Sequence, residues 1–530
     1  MTSEPAHIAI VGCGFTGTSA LHQLISRTPV REITVFEASG QFGPGYAYDP
    51  EECSDYLINN TTDTMCLGPE NKRAFLDWLE KRPVLDVDLD PKGHLPRSVY
   101  GLFLRDSVES SRKTALENGV EINLISAEVT QIVEDTSNQV TLSWPLGEVK
   151  ADAVIMATGR CQNIDLCVAP AANSPAKYFN SHIGSEELDE LPMDAEVHIL
   201  GASLSAYDIV NRLFSDLTGC RFERGDDGEL CYVPNGNERV AVLCSRSGRL
   251  KKMQSRTPEN LSRTFFSYEG LVSLGEPGDV TLNDVATAIS DEAAANNCPL
   301  ESDSITSPYS GCENAEAVNA RAGEILERDI QAAKPGGQDN FLVDLFNDAQ
   351  IDIWDAFADR LLSPKEEFRY RTTVETALLS YAAPCPIPTA ERLLALHKSG
   401  HLRVIRGVSL PDLSSEGDNY TLRHAHGDEM VRVLINATGK VDRDILSASQ
   451  PSWIRHLVED GRLQPYSRAD TKFAGADVEM SSFRPPLLIR VHFANMFLWG
   501  PGFFTSSAFM MATIVSRIVD HLFPSRSEQY

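Results

Sequence analysis

The sequence predicts an α/β protein made of two Rossmann-like dinucleotide-binding lobes, a discontinuous first lobe with the second inserted into it, plus a partly helical acidic insertion. Three observations carry this prediction. The N-terminus reads strand, glycine turn, helix, strand. An eroded copy of that unit begins near residue 197, and two distant segments repeat one another, each closing in Ala-Thr-Gly.

In the first unit the apolar run His7 to Val11 leads into GCGFTG, which places Gly12, Gly14 and Gly17 in the G-x-G-x-x-G pattern. A helical stripe of Ala20, Leu21, Leu24 and Ile25 follows, with Thr16 in its first turn, and Ile33 to Phe36 reads as a second strand closed by Glu37. The first glycine permits a tight turn, the second lets backbone approach a pyrophosphate, and the third lets helix pack on strand. The helix N-terminus offers N–H donors and the positive end of its dipole, and Glu37 would accept hydrogen bonds from a ribose.

The second unit runs Val197-His-Ile-Leu-Gly201-Ala-Ser203-Leu-Ser205-Ala206-Tyr-Asp208, with Ile209, Val210, Leu213 and Phe214 as its buried stripe. Its pattern is G-x-S-x-x-A. Ser and Ala are small enough for close approach, provided Ser203 avoids the conformations that only Gly tolerates. The same residues fit a second nucleotide site or an ordinary strand–helix turn. Residues 219–238 read as an excursion before the strand Arg239 to Ser245. Arg246 then stands where an acid would favour NADH. An arginine there takes a ribose 2′-phosphate and favours NADPH, or else forms a solvated turn.

The repeat aligns Glu121–Gly159 with His401–Gly439 without a gap. Ile125 falls on Ile405, Thr141-Leu142 on Thr421-Leu422, and Gly147 on Gly427. Each copy reads as a hairpin feeding a buried strand, closed by Ala157-Thr158-Gly159 or Ala437-Thr438-Gly439. A single Ala-Thr-Gly fits a strand-end turn; two, each downstream of a nucleotide turn, argue for paired dinucleotide lobes.

From about Gly270 to Gln350 the chain is rich in Asp, Glu, Ala, Ser and Asn. Ala315 to Ala333 has helical composition, whereas Glu301–Gly311 and Pro335-Gly-Gly337 read as loops. This segment fits a lid, an interface or a solvated acidic insertion. Ile351 to Leu396 reads as helical on either side of the Pro384–Pro388 break. Near the end, Phe497-Leu-Trp499-Gly500-Pro501-Gly502 opens a helix expected over Thr505 to Leu522. The expected division is residues 1–160 for the first part of the first lobe, 161–400 for the second lobe with its insertion around 270–350, and 401–530 for the return segment and the rest of the first lobe.

Composition bounds the function. Apolar residues make up 42% and charged residues 23%, and the net charge is −28. That excess of acid argues against a sequence-independent grip on nucleic acid or anionic membrane. The eleven cysteines are scattered with no CxxC pair, which suits free thiols and neither a zinc framework nor a redox disulfide. No apolar run reaches membrane-spanning length, and the N-terminus lacks the basic start of a secretory leader. The expectation is a soluble cytoplasmic protein without metal.

These landmarks resemble the two-dinucleotide-binding-domain flavoproteins, and within them the group containing nitrosuccinate synthase and FAD-dependent urate hydroxylase. The resemblance rests on GCGFTG, Gly43-Pro-Gly45-Tyr-Ala-Tyr48, Tyr56-Leu-Ile-Asn59 with Met65, Phe75-Leu-Asp-Trp78-Leu, and Leu95-Pro-Arg97-Ser-Val-Tyr100-Gly101. It continues through both Ala-Thr-Gly strands, Gly201–Asp208 and Gly500-Pro501. It implies FAD on the first lobe, held by Gly12, Gly14, Thr16, Gly17, Glu37, Thr158 and Gly159, with Asn59 and Met65 near the ring and Gly500 and Pro501 across from it. It implies NADPH, or NADH, on the second lobe at Gly201, Ser203, Ser205, Ala206 and Arg246. The linker signature of Baeyer–Villiger enzymes is absent; Tyr178-Phe-Asn-Ser-His182 keeps only a trace. The implied activity is monooxygenation of a small polar substrate with O₂, at nitrogen or on an electron-rich heterocycle. The rivals are a flavin-linked NAD(P)H oxidoreductase without oxygenation and a non-catalytic nucleotide-binding regulator. No catalytic acid or base is assigned; His182, Arg97 and Tyr100 are the polar residues at suggestive places.

Overall fold

Two five-stranded parallel sheets organise the chain in the computed structural model, which describes residues 5–524 except 86, 88, 137–138, 182, 185, 257–260, 299, 301–304, 306, 338, 414–416, 470 and 503–506. The first sheet has the order 491–493, 153–156, 7–11, 32–36, 121–125, and the second has 177–179, 433–436, 196–200, 240–245, 402–406. All neighbours in both sheets are parallel. The two orders are the same: an outer strand, the Ala-Thr-Gly strand, the strand before the nucleotide turn, then two more. The Ala-Thr-Gly strands Ala153–Met156 and Val433–Asn436 are buried along their whole length. Strands covered by helices on both faces need such continuous apolar runs.

The repeat is structural. Val140–Trp144 answers to Tyr420–His424, Gly147–Ala151 to Gly427–Val431, and Ala153–Met156 to Val433–Asn436. One consequence corrects the expected division. The strands Leu402–Arg406 and Val433–Asn436 pair into the second sheet, so the second lobe continues past residue 400 to about 440. Residues 401–439 do not return the chain to the first lobe; that return begins only after the second Ala-Thr-Gly.

The insertion is more ordered than its acidity suggests. Helices cover Leu282–Ala295, Ala315–Ala333, Phe341–Asp348 and Gln350–Ala358. Val318, Ala322, Leu326 and Ile330 join the second lobe's core, whereas Phe341, Leu345, Ile353 and Trp354 join the first lobe's. The excursion 219–238 forms an antiparallel hairpin, Arg221–Arg224 with Leu230–Val233. Between the lobes, Arg97 pairs with Asp208 at 2.9 Å, Arg212 with Glu52 at 2.7 Å and Arg392 with Asp55 at 2.6 Å. No helix among the described residues is long and apolar enough to cross a membrane.

One core residue makes the first lobe acid-sensitive. His492, on the outer strand Val491–Phe493, is buried and donates from Nδ1 to the Ser482 carbonyl at 2.7 Å. Burial, with smaller contributions from His521, Arg484 and Arg490, pushes its pKa from 6.5 down to about 3. Below pH 6.5 the unfolded chain takes up a proton that the folded chain refuses, so stability falls as pH drops through that window. The slope from this one group is about 1.4 kcal/mol per pH unit. Melting curves from neutral pH downward should show His492→Gln losing less stability per unit than the parent; parallel curves would assign the acid limb to other groups.

Candidate cofactor and active site

The first nucleotide turn is built by close backbone packing. Gly12 has φ +93°, and a Cβ there would lie 2.4 Å from the Ala157 carbonyl oxygen. A Cβ on Gly17 would lie 2.0 Å from the Gly12 oxygen. The first and third glycines are thus required by the fold itself: one lets the turn touch the Ala-Thr-Gly strand, the other lets the helix touch the turn. Gly14 caps the helix Phe15–Arg27 without any side-chain hydrogen bond to the helix start. Other helices, such as Arg97–Asn118 and Ser452–Glu459, also lack a side-chain cap. What sets this helix start apart is its glycine turn pressed against the Ala-Thr-Gly strand, and its leading N–H groups fit a pyrophosphate. Glu37 sits beside this cradle, accepting from the Cys13 N–H at 2.8 Å and the Ser39 N–H at 3.0 Å. Burial pushes the Cys13 thiol up to about 12, so it is neutral packing within the turn.

The second turn repeats the geometry. Gly201 has φ +134°, and a Cβ there would lie 2.5 Å from the Ala437 carbonyl oxygen. Gly159 and Gly439, which close the two Ala-Thr-Gly strands, have φ +67° and +68°. Ser203 takes Gly14's place as an N-cap with extended backbone and no side-chain cap bond, so the serine meets no strain. Ala206, fully buried, takes Gly17's place, and Ser205 is half-buried beside it. The erosion G-x-S-x-x-A thus leaves both the close approach and the open helix start intact.

Past the strand Val240–Ser245 lies a cavity of about 380 Å³ lined by Ser247, Arg249, Arg406 and the insertion segment 307–311. Arg406 ends the neighbouring strand Leu402–Arg406, and its guanidinium lies 5.9 Å from the Tyr309 ring centroid. Its Nε is buried without a hydrogen bond, and it has no acidic partner among the described residues. Tyr309 is fixed by donating to the Gly248 carbonyl at 2.6 Å. Arg246, the arginine singled out from sequence, is exposed and does not line the cavity. Arg406 and Arg249 are the two cations on the wall of this cavity.

The C-terminal turn is held from the helical stretch that follows the insertion. Arg371, in a π-helical turn Tyr370–Val374, donates through Nη2 to the carbonyls of Trp499 (2.7 Å), Gly500 (3.0 Å) and Gly502 (2.6 Å). Its Nη1 pairs with Glu375 at 2.8 Å, and its guanidinium lies 4.3 Å from the Trp499 ring. Such single wide turns inside helices frequently mark functional positions. Gly500 and Pro501 are buried in this turn, while the helix proper spans Ala508–Leu522. Thr158 accepts from the Asn495 side chain at 3.2 Å, and the Gly159 carbonyl accepts from the Met496 N–H. The first Ala-Thr-Gly and the C-terminal turn are therefore one constellation, with Phe497 over it and a cavity of about 70 Å³ beside it.

The remaining expected residues divide. Thr16 is buried in the first helix turn, Asn59 is half-buried, and Met65 is packed in the first lobe's core. Arg97 is the lobe-to-lobe tie to Asp208, and Tyr100 is buried among Phe15, Tyr48, Phe75 and Phe103. His182, Phe503, Phe504 and Thr505 lie outside the described residues. Among the described residues no group of three or more His, Cys, Asp or Glu could hold a metal.

With this geometry in hand, the comparisons with known proteins are informative about the first lobe and the fold. Residues 9–161 match a family model described as FAD-NAD(P)-binding. No curated protein sequence matches the chain. Among solved structures it is similar to L-lysine 6-monooxygenase from Pseudomonas syringae, at 12% identity over 98% of this chain and 99% of that one, with a TM-score of 0.50. It is also similar to the reduced form of an ornithine hydroxylase from Pseudomonas aeruginosa, at 11% identity over 97% and 98%, with a TM-score of 0.50. The shared feature is the fold: two Rossmann-like lobes with parallel sheets, spanning nearly the full length of both chains.

Proposed function

We propose that the chain is an FAD-dependent, NADPH-using monooxygenase that hydroxylates the nitrogen of a small amine or amino acid. The observation that carries this reading is the duplicated open turn: two helix starts without side-chain caps, each pressed against its own Ala-Thr-Gly strand. The first would hold FAD through the amides after Gly14, with Glu37 on the ribose. The second would hold NADPH through the amides after Ser203, with Arg249 and Arg406 on the 2′-phosphate. When bound, FAD supplies a centre that takes hydride from NADPH and activates O₂. The chain's own part is to orient the two cofactors and keep water out, which the buried Phe497 and the half-buried Trp499 favour.

Oxygenation is preferred over disulfide reduction because the thiol beside the constellation is not a redox thiol. Burial pushes Cys161 up to about 11, and the sequence places no second cysteine in a CxxC with it. The two structural relatives named above hydroxylate lysine and ornithine, which favours nitrogen over a heterocycle. The narrower likeness, to a group holding both nitrosuccinate synthase and a urate hydroxylase, leaves nitrogen and ring open. The test is NADPH oxidation and O₂ uptake by the flavin-loaded protein across amines, amino acids and purines. Hydroxylamine product with substrate-stimulated turnover is expected. Stoichiometric H₂O₂ with every compound would replace the monooxygenase by a flavin-linked oxidoreductase, and a protein that takes up no FAD would leave only a nucleotide-binding regulator.

A further inference from the structure

The acidic insertion turns uncharged at one point. Ser304 to Cys312 carries neither acid nor base, although Asp303 and Glu313 flank it and the chain as a whole bears a net charge of −28. Within this stretch, segment 307–311 forms one wall of the 380 Å³ cavity. The other walls belong to the second lobe: Ser247 and Arg249 on the turn after Val240–Ser245, and Arg406 at the end of Leu402–Arg406. Among the described residues that line the cavity there is no carboxylate. Two arginines and three serines without an acid, in a chain this acidic, suit an anion.

The walls are locked to one another at Tyr309. Its ring is buried in the second lobe's core, its hydroxyl donates to the Gly248 carbonyl at 2.6 Å, and the Arg406 guanidinium stands 5.9 Å from its ring centroid. Burial pushes the phenol above its ordinary pKa, against the opposing pull of Arg249 and Arg406, so it stays a neutral donor. On the other side, the Gly248 N–H donates to the Ser245 hydroxyl oxygen at 2.8 Å, and the Gly407 N–H donates to the Arg246 carbonyl at 3.0 Å. The junction has no slack. A Cβ on Gly248, where φ is +71°, would lie 3.0 Å from the Arg406 Cβ and 3.1 Å from the Tyr309 Cε2. The segment is itself turned tightly, the Ser310 N–H donating to the Ser307 carbonyl at 3.0 Å and the Cys312 N–H to the Tyr309 carbonyl at 3.2 Å. A long cationic side chain confined in this way loses less rotamer freedom when its anion arrives, and such preorganisation strengthens binding.

We propose that the insertion supplies a wall of the pocket for the coenzyme's 2′-phosphate, and that Tyr309 is the positioning residue through which this pocket selects NADPH over NADH. The assignment rests on the NADPH reading above and gives the insertion a part in it. Tyr309 acts through Arg406 and the Gly248 turn: without it both arginines remain, but nothing holds Arg406 against the cavity wall.

Equilibrium titration of the FAD-loaded protein with 2′,5′-ADP and with 5′-AMP reads the pocket without turnover. The two probes differ by the 2′-phosphate alone, and the parent should prefer 2′,5′-ADP roughly ten- to a hundredfold. Tyr309→Phe keeps the ring and deletes the hydroxyl, and should weaken 2′,5′-ADP roughly two- to tenfold. Tyr309→Ala should erase most of the preference. In both variants 5′-AMP should bind as it does to the parent. Gly248→Ala should reduce the preference from the opposite side, with the insertion untouched. Melting curves report which variants are folded, and Tyr309→Phe, the mildest change, decides the matter if the other two are not. A parent that prefers 2′,5′-ADP, together with a Tyr309→Phe that keeps the full preference, would overturn the assignment. So would an equal loss of both probes in the Tyr309 variants, which would make Tyr309 a packing residue. A parent indifferent to the 2′-phosphate fails the NADPH reading itself, and the role of Tyr309 with it.

Discussion

Gly14→Val should purify as a folded, colourless protein. Gly14 differs from its two neighbours in the motif, because the fold does not forbid a side chain there. A Cβ would meet the Gly45 Cα at 3.2 Å, a tight contact, and the backbone is extended with φ −76°. The valine methyl groups would instead occupy the space in front of the uncapped helix, where the phosphates belong. Two charge-assisted hydrogen bonds lost at about 1.5–3 kcal/mol each weaken FAD by a factor on the order of 10² to 10⁴. The flavin-to-protein absorbance ratio and a melting curve read the two effects separately. Full flavin occupancy in this variant would mean that the N-terminal turn is not the FAD site. Gly12→Val should fail differently, by misfolding, since its Cβ would lie 2.4 Å from a backbone oxygen at a positive φ.

Arg406→Ala should raise KM for NADPH roughly ten- to a hundredfold and leave KM for NADH nearly unchanged. The arginine ends a strand, lines the 380 Å³ cavity and has no acidic partner among the described residues, so a 2′-phosphate would supply one. Arg246→Ala should do little, because that side chain is exposed and outside the cavity. Steady-state kinetics with both coenzymes separate these outcomes. Equal losses for NADPH and NADH in Arg406→Ala would make Arg406 a structural residue, and a selective loss in Arg246→Ala would restore the sequence-based choice.

Both nucleotide turns and both Ala-Thr-Gly strands were legible because they are local patterns: an apolar run, small residues at fixed spacing, a helical stripe. The repeat added what neither turn had alone, and the erosion of the second turn costs no backbone strain because Ser203 is extended. The division at residue 400 was not legible. Which sheet a strand joins depends on partners far away in sequence, and Leu402–Arg406 pairs with Val240–Ser245 across the whole insertion. Arg371 and Arg406 were missed for a related reason. No local pattern says where a long side chain will end, and only the assembled fold brings a later helix and a strand end to the two turns. The acidic composition of segment 270–350 left a lid, an interface and a solvated insertion equally open, and Leu345 within it is fully buried in the first lobe's core.

The outer strand Val491–Phe493 completes the first sheet by pairing with Ala153–Met156. During synthesis the N-terminal strands, the glycine turn and the first Ala-Thr-Gly leave the ribosome early, but their sheet must wait for a strand made almost last. The second lobe has no such delay, since its five strands all fall between residues 177 and 436. Closing a long loop costs entropy before any contact rewards it, so the inserted lobe is placed to close its sheet first and the lobe around it last. The coenzyme half would then mature ahead of the flavin half, and FAD capture would be an end-of-synthesis event. A chain interrupted shortly before residue 490 would damage not its own last domain but the one with which the sequence begins.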